Sequence, residues 1–327
     1  MAGVRLTLDD VRAARRVLAP HLRPTPLRAS LAAEGLDLRL KLECWQPTGS
    51  FKVRGATNRL ASLDAAARAR GVVAASAGNH ALGVAFAVAA LGSGVRATLF
   101  LPRSAPRAKV EKLRRFPVEL QQTGETYDDA VEAALAFERR TGATFVHAFE
   151  DAQTAAGQGT LALELLEECP EPAAVLVPVG GGGLLAGVAT VLKALAPRAR
   201  VVAVQPEASP ALRESLRLGR PLLQYPAAPT LADGLAGGIG RIAFDHRDLV
   251  DEVVTVAEDE IEDAMVALLA CDQVVAEASG AVGVAAARAG RLRGLDAGPV
   301  VAIVSGGNVD ARVLARLLAA RYGEPRP

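Results

Sequence analysis

The chain predicts an α/β protein built on parallel sheets with helices on both faces, and three observations carry that reading. Short apolar runs alternate with helical stretches along most of the sequence, the βαβ pattern of parallel sheets. An apolar strand, a Ser/Gly/Asn turn and a helix recur at residues 76–80, 180–183 and 305–308. In open α/β sheets ligands bind at strand carboxyl ends, so three such turns suggest one ligand held by several strand ends. Finally, 327 residues, half of them hydrophobic, are long for one domain and comfortable for two.

Taken in order, Thr7 reads as the N-cap of a helix to about Ala19, with Asp9 and Asp10 in the first turn where the dipole favours them. Pro24 and Pro26 hold RPTPL extended. A strand is expected over 38–44, then the loop QPTGSFK and a helix over 53–63. Strands at 71–75, 97–101, 118–122 and 144–147 alternate with helices at 81–91, 108–115 and 127–141. A helix over 158–168, a strand over 174–179, a helix over 184–196 and a strand over 201–205 follow. The chain closes with a strand over 300–304 and a helix over 310–321. Residues 173–192 carry no charge and are about long enough to span a bilayer. Pro178 and four successive glycines in their middle read instead as strand, turn and helix.

A net charge of +1 supplies no field to steer nucleic acid or an anionic membrane, so neither is expected as a partner. Cys44, Cys169 and Cys271 are odd in number and far apart, without metal spacing. They read as buried thiols in a reducing, cytoplasmic setting, and residues 1–20 lack the apolar core of a signal peptide. The lysines are Lys41, Lys52, Lys109, Lys112 and Lys193, a short list from which to choose a reactive amine.

Two segments carry chemistry. In VLVPVGGGGLLAG, Gly180, Gly181, Gly182 and Gly183 follow a strand and open a helix, so backbone N–H groups can approach an anion closely. A plain βα turn needs one or two glycines, and four favour a phosphate. The run lacks a P-loop lysine. A dinucleotide site would need an acidic residue about 20 positions on, where Val204, Gln205 and Pro206 stand, so an NAD-dependent oxidoreductase is the weaker reading. In TGSFKVRG, Lys52 sits at a loop-to-helix junction. It can be an exposed lysine there, yet the positive dipole end also lowers an amine pKa, as a Schiff-base lysine requires.

The segments RPTPL, KLECWQPTGSFKVRGA, SAGNHALGVA, AGQGT, VPVGGGGLLAG, TLADGLA, VAEASGA and VSGGN run in this order from about residue 23 to 310. With them the chain resembles the fold-type II pyridoxal 5′-phosphate (PLP) enzymes of the threonine/serine dehydratase and serine racemase family, most of all a short, catalytic-domain-only threonine dehydratase. The resemblance implies two open twisted α/β domains, tryptophan synthase β-like, with the cofactor between them. The large domain would comprise residues 1–69 and 149–327, and the small inserted one residues 70–148. It implies Lys52 as Schiff-base lysine and proton shuttle, Phe51 against the pyridine ring and Asn79 on its 3-hydroxyl. Gly180 to Gly183, with the N–H of Leu184, would hold the phosphate, and Ser305 would face the ring nitrogen. Ser76, Ala77, Gly78, Asn79 and His80 would grip the substrate carboxylate. The implied reaction removes ammonia from L-threonine or L-serine. A homodimer or homotetramer is expected, and no amino-acid-sensing regulatory domain.

The pattern is not followed everywhere. Family racemases usually carry a second serine where this chain has Ala77, which cannot exchange a proton and so favours elimination. Gln205 and Ala211 stand at positions that many relatives fill with acidic metal ligands, so no metal is expected. Leu82 replaces a usual glutamine. Glu277 reads equally as a neighbour of the cofactor ring or as a helix-start carboxylate, and Asp233 is likewise open. His21, His147 and His246 read as surface or capping residues, and residues 103–115 as a solvated helix face. The alternatives are a hydroxyaspartate dehydratase, a serine racemase, a β-replacement enzyme, and a PLP-binding regulator without catalysis.

Overall fold

The computed structural model describes residues 5–92, 94–105, 107–294 and 298–323; Met1 to Val4, part of the stretch read for a signal peptide, lie outside them. The strands are β1 (Leu27–Ala29), β2 (Leu38–Lys41), β3 (Val72–Ala75), β4 (Ala97–Leu101), β5 (Glu119–Gln122), β6 (Thr144–Phe145), β7 (Ala174–Pro178), β8 (Arg200–Pro206), β9 (Glu252–Val256) and β10 (Val300–Ile303). The helices are α1 (Leu8–Leu18), α2 (Lys52–Ala61), α3 (Ala65–Arg70), α4 (Asn79–Leu91), α5 (Arg107–Leu113), α6 (Tyr127–Thr141), α7 (Ala152–Glu168), α8 (Gly183–Leu195), α9 (Ala211–Leu218), α10 (Arg241–Asp245), α11 (Glu258–Asp272), α12 (Ala278–Arg288) and α13 (Ala311–Tyr322).

These strands form two sheets. The first runs β1-β2-β10-β7-β8-β9 and the second β5-β4-β3-β6. All pairings are parallel except β1 with β2. The central strands are apolar throughout because both faces are covered. Val175, Val177, Val201, Ala203, Val301 and Ile303 enter one core, while Leu176, Val202, Val204 and Ala302 enter the other. That alternation is the period-2 geometry of a strand.

Most elements stand where the alternation predicts them. Thr7 caps α1 in a capping box with Asp10. Three expectations change. The strand expected over 38–44 ends at Lys41 and gives way to a 3-10 turn, Glu43–Trp45. The helix expected from 158 begins six residues earlier, where Asp151 accepts from Thr154 N at 2.7 Å. Within it, Gly157 and Gly159 each cost about 1 kcal/mol of helix propensity. Here the glycines admit neighbouring backbones. A Cβ on Gly157 would lie 2.7 Å from Gly55 Cα of α2, and one on Gly159 would lie 2.8 Å from Gly187 O of α8. Among the thiols, Cys44 and Cys169 are buried but Cys271 is exposed, on the outer surface near the end of α11.

Beneath the sheet ends lies a buried ionic cluster. Arg54 on α2 donates to both oxygens of Glu43, at 2.7 and 2.8 Å, and to both oxygens of Glu164 on α7, at 2.6 and 2.7 Å. Lys41 pairs with Glu164 at 3.0 Å and donates to Thr25 O. Two cations meet two anions, so the cluster is neutral and its bonds are largely satisfied. Burial alone would raise Glu43; the Arg54 charge, with its hydrogen bonds and those of Thr25, outweighs burial and holds the carboxyl below its ordinary 4.5. Stability from Glu43 is therefore complete above that value and is lost as pH falls toward the lower, folded-state value.

Arg54→Ala strands two buried carboxylates and is expected to destabilise the protein by about 3–5 kcal/mol, read as a drop in the urea midpoint.

Candidate active site

Lys52 opens α2 directly after a loop that is stitched to the end of β10. Phe51 N donates to Ser305 O at 3.0 Å and Gly307 N to Gly49 O at 2.9 Å, while Ser50 forms an isolated bridge with Gly306. Because β2, β10 and β7 are neighbours, the lysine loop, residues 305–308 and the glycine run emerge side by side. From the second sheet, the ends of neighbours β3 and β6 bring residues 76–78 and His147.

The Lys52 ammonium donates to Ala148 O at 3.1 Å and stands 5.1 Å from the Phe51 ring centroid. Burial lowers its pKa to about 8, against the opposing pull of Glu277. The other lysines differ: Lys41 is locked in the ionic cluster and Lys193 pairs with Asp251 at 2.6 Å. Two histidines flank the amine. His80 is buried, with Nε2 2.8 Å from Val146 O, so that nitrogen carries the hydrogen; burial and Lys52 push the ring down to about 3. His147 is pushed down to about 4, by burial first and then Lys52. Its Nδ1 accepts from Phe149 N and Glu150 N in the loop before α7, whose N-cap is Asp151, so His147 is neither a helix cap nor an isolated surface residue but a neighbour of Lys52. Both rings are thus neutral at pH 7. His246 meets the capping half of its reading and not the surface half: it is the C-cap of α10 and is buried, accepting from Leu6 N and bonding Ile242 O.

At the glycine run, Gly182 has φ +86° and caps α8, which starts at Gly183 with no capping side chain, so its first N–H groups remain open. A Cβ on Gly180 would lie 2.8 Å from Gly234 O; on Gly181 it would overlap the Phe149 ring, and on Gly182 the Ala243 side chain. Leu184 is buried in the first turn, and Ser305 is buried with its hydroxyl 3.4 Å from Ser279 O.

The loop after β3 is more restricted than its sequence suggests. Ser76 N is used by Phe100 O and Gly78 N by the Ser76 hydroxyl, each at 3.1 Å. A carboxylate there would meet Ala77, Asn79 and His80, the last two at the uncapped start of α4. The Asn79 side chain donates to Glu277 at 2.6 Å and accepts from Asn308 at 2.8 Å. Glu277, open between two readings, therefore turns its carboxyl to Asn79 and makes no side-chain cap on α12. Burial raises it to about 7, with Asp233 adding to the rise and Asn79 and Lys109 opposing it.

The sequence missed the reach of α5. Lys109 extends to Asp233 at 3.4 Å and Lys112 to Asn308 at 3.1 Å, so part of the supposed solvated face joins the two sheets. Their i,i+3 spacing puts both on one side of the helix, the one signal available. Gln205 is buried: its Nε2 donates to Val179 O and Ser209 O, and its Oε1 accepts from Leu212 N and Arg213 N. No group of three His, Cys, Asp or Glu side chains stands together as a metal site among the described residues. No helix among them is long and apolar enough to cross a membrane.

Comparison with known proteins agrees with this geometry. Residues 18–306 match the family model described as pyridoxal-phosphate dependent enzyme. The L-threonine ammonia-lyase of Thermotoga maritima is 46% identical over 96% of this chain and 78% of its own. Maize serine racemase superposes with a TM-score of 0.90 at 35% identity, covering 97% of this chain and 98% of its own. The processed form of threonine deaminase isoform 2 from Solanum lycopersicum gives 0.87 at 31% identity, over 96% of this chain and 89% of its own. A family match over most of the chain and close likeness in sequence and fold lead to one assignment: the chain belongs to the pyridoxal-phosphate dependent enzyme family.

Proposed function

We propose that the protein removes ammonia from L-threonine or L-serine by α,β-elimination, with Lys52 as the catalytic amine. The observation that carries this reading is the Lys52 amine, poised near pH 8 beside a glycine run that only hydrogen side chains fit. The residues fit the cofactor: Lys52 would bind it, Gly180 to Gly183 and Leu184 N–H would take its phosphate at the start of α8, Phe51 and Asn79 would flank its ring, and Ser305 would face the ring nitrogen. When bound, PLP supplies the electron sink for an α-carbanion. We further propose residues 70–148 as a small domain inserted into the large one, with the site between them.

The side chains divide the remaining work. Ala77, Asn79 and His80 N–H groups hold the substrate carboxylate and so orient the Cα–H bond. Lys52 Nζ takes the α-proton, the β-hydroxyl leaves with a proton as water, and a water then adds to the imine form of the released enamine, expelling ammonia and leaving the 2-oxo acid. His80 and His147 stay neutral and add no competing positive charge. Elimination is favoured over racemisation because Ala77 offers no second acid, and the Ser76 hydroxyl is turned onto Gly78 N.

The wild-type protein is expected to release 2-oxobutanoate from L-threonine or pyruvate from L-serine, and Lys52→Ala to lower that rate by about 10⁴-fold. A yellow wild-type protein that releases neither would overturn the proposal. Capture of PLP by the apoprotein is expected to accelerate as pH rises through about 8, the value of the Lys52 amine, because only the free amine is nucleophilic; stopped-flow absorbance reads this directly. Ala77→Ser is expected to raise the ratio of D-serine to pyruvate formed from L-serine, measured by chiral chromatography.

A further inference from the structure

A row of polar side chains crosses between the two sheets with all its hydrogen bonds pointing one way. The Lys112 ammonium on α5 donates to Asn308 Oδ1 at 3.1 Å. Asn308 Nδ2 donates to Asn79 Oδ1 at 2.8 Å and also to Thr48 O at 2.8 Å. Asn79 Nδ2 donates to Glu277 Oε1 at 2.6 Å. An ammonium and a carbonyl have only one role each in a hydrogen bond, so Lys112 and Thr48 O fix which way the Asn308 amide faces. Asn308 and Glu277 then fix Asn79 in the same manner. The row begins on a cation and ends on a carboxyl oxygen that accepts, so each bond polarises the next in the same sense.

The alternation of supports matters as much as the direction. Lys112 and Asn79 belong to helices packed on the second sheet. Asn308 follows β10 and Glu277 precedes α12, both on the first. Every link therefore spans the two sheets, and the row is complete only when they stand as they do here.

We propose that Glu277 and Lys112 are positioning residues, which hold the Asn79 amide with its remaining N–H presented to the cofactor ring only when the two sheets are closed on one another. The inference rests on the reading that Asn79 contacts the ring. One hydrogen of Nδ2 is committed to Glu277, leaving the second for the cofactor. Without Glu277 the amide can turn over and present an oxygen instead, which a ring oxygen would repel. The charged and titratable groups around Glu277 are Asp233 on a second 3-10 turn (Asp233–Leu235), Lys109 on α5, Lys52 on α2 and the Cys44 thiol beside the lysine loop. Its carboxyl is bonded by the Asn79 side chain and by Asn308 N. Gly306 belongs to the same arrangement, since a Cβ there would overlap the Glu277 carboxyl.

The test is a double-mutant cycle read as the PLP dissociation constant of the full-length apoprotein, by fluorescence titration, so no turnover is required. Glu277→Ala is expected to weaken binding roughly tenfold, the worth of one charge-assisted hydrogen bond. Glu277→Gln keeps an acceptor and is expected to recover about half of that loss on a logarithmic scale. Lys112→Met, at an exposed position that leaves folding intact, is expected to weaken binding about threefold and to lose its effect at high salt. In an Asn79→Ala background all three changes should shrink to less than about twofold, because residues acting through one partner are not additive. Full additivity with Asn79→Ala overturns the proposal, and so does an Asn79→Ala variant that binds PLP as tightly as wild type. Coupling in a protein that makes no 2-oxo acid upholds this inference while removing the ammonia-lyase reading.

Discussion

Everything at the site hangs on where α2 begins, and α2 is held by Arg54. Its guanidinium sits two residues after Lys52 and is shared between Glu43, in the 3-10 turn after β2, and Glu164, on α7. An ion this deep is costly to desolvate, and it is tolerated only because both carboxylates and Lys41 complete the set. Such a cluster is a poor source of net stability compared with apolar packing. It is specific, however: fork-shaped donors meet two carboxylates in one geometry only. The lysine therefore leaves its loop at a fixed place and in a fixed direction, whatever the surrounding leucines and valines do.

The second constraint is electrostatic. The cleft contains a lysine eased toward its neutral form, two histidines that stay neutral, and an acid raised toward neutrality. Burial is the leading cause in all four. A site of this kind keeps few full charges of its own, so on the proposed reading the charges of a cofactor phosphate and a substrate carboxylate would be answered mainly by backbone N–H groups. Those donors do not titrate, and they cost no side-chain entropy to hold in place.

Much of this is legible in the amino-acid order. Strand–turn–helix units carry local signatures, and Lys52, Asn79, the glycine run and Ser305 are gathered by neighbouring strand ends. What escapes depends on contacts distant in sequence. The glycines of α7 look like breakers until α2 and α8 are seen against them. Lys109 and Lys112 look solvated because their partners, Asp233 and Asn308, lie 124 and 196 residues away. Glu277 begins a helix, as a carboxylate often does, and only its 198-residue separation from Asn79 shows that it serves another purpose. Residues 207–299 give few local signals of their own, although they hold β9, α11 and α12.

The meeting of Gly55 with Gly157, and of Gly159 with Gly187, makes α7 a ruler. It lies between the helix that begins with Lys52 and the helix that begins at the glycine run, touching both through bare backbone. The spacing between Lys52 and the glycine run is thus set by the thickness of a polypeptide main chain. Main-chain dimensions are the same in every protein, so ordinary drift among the core valines, leucines and alanines leaves that calibration untouched.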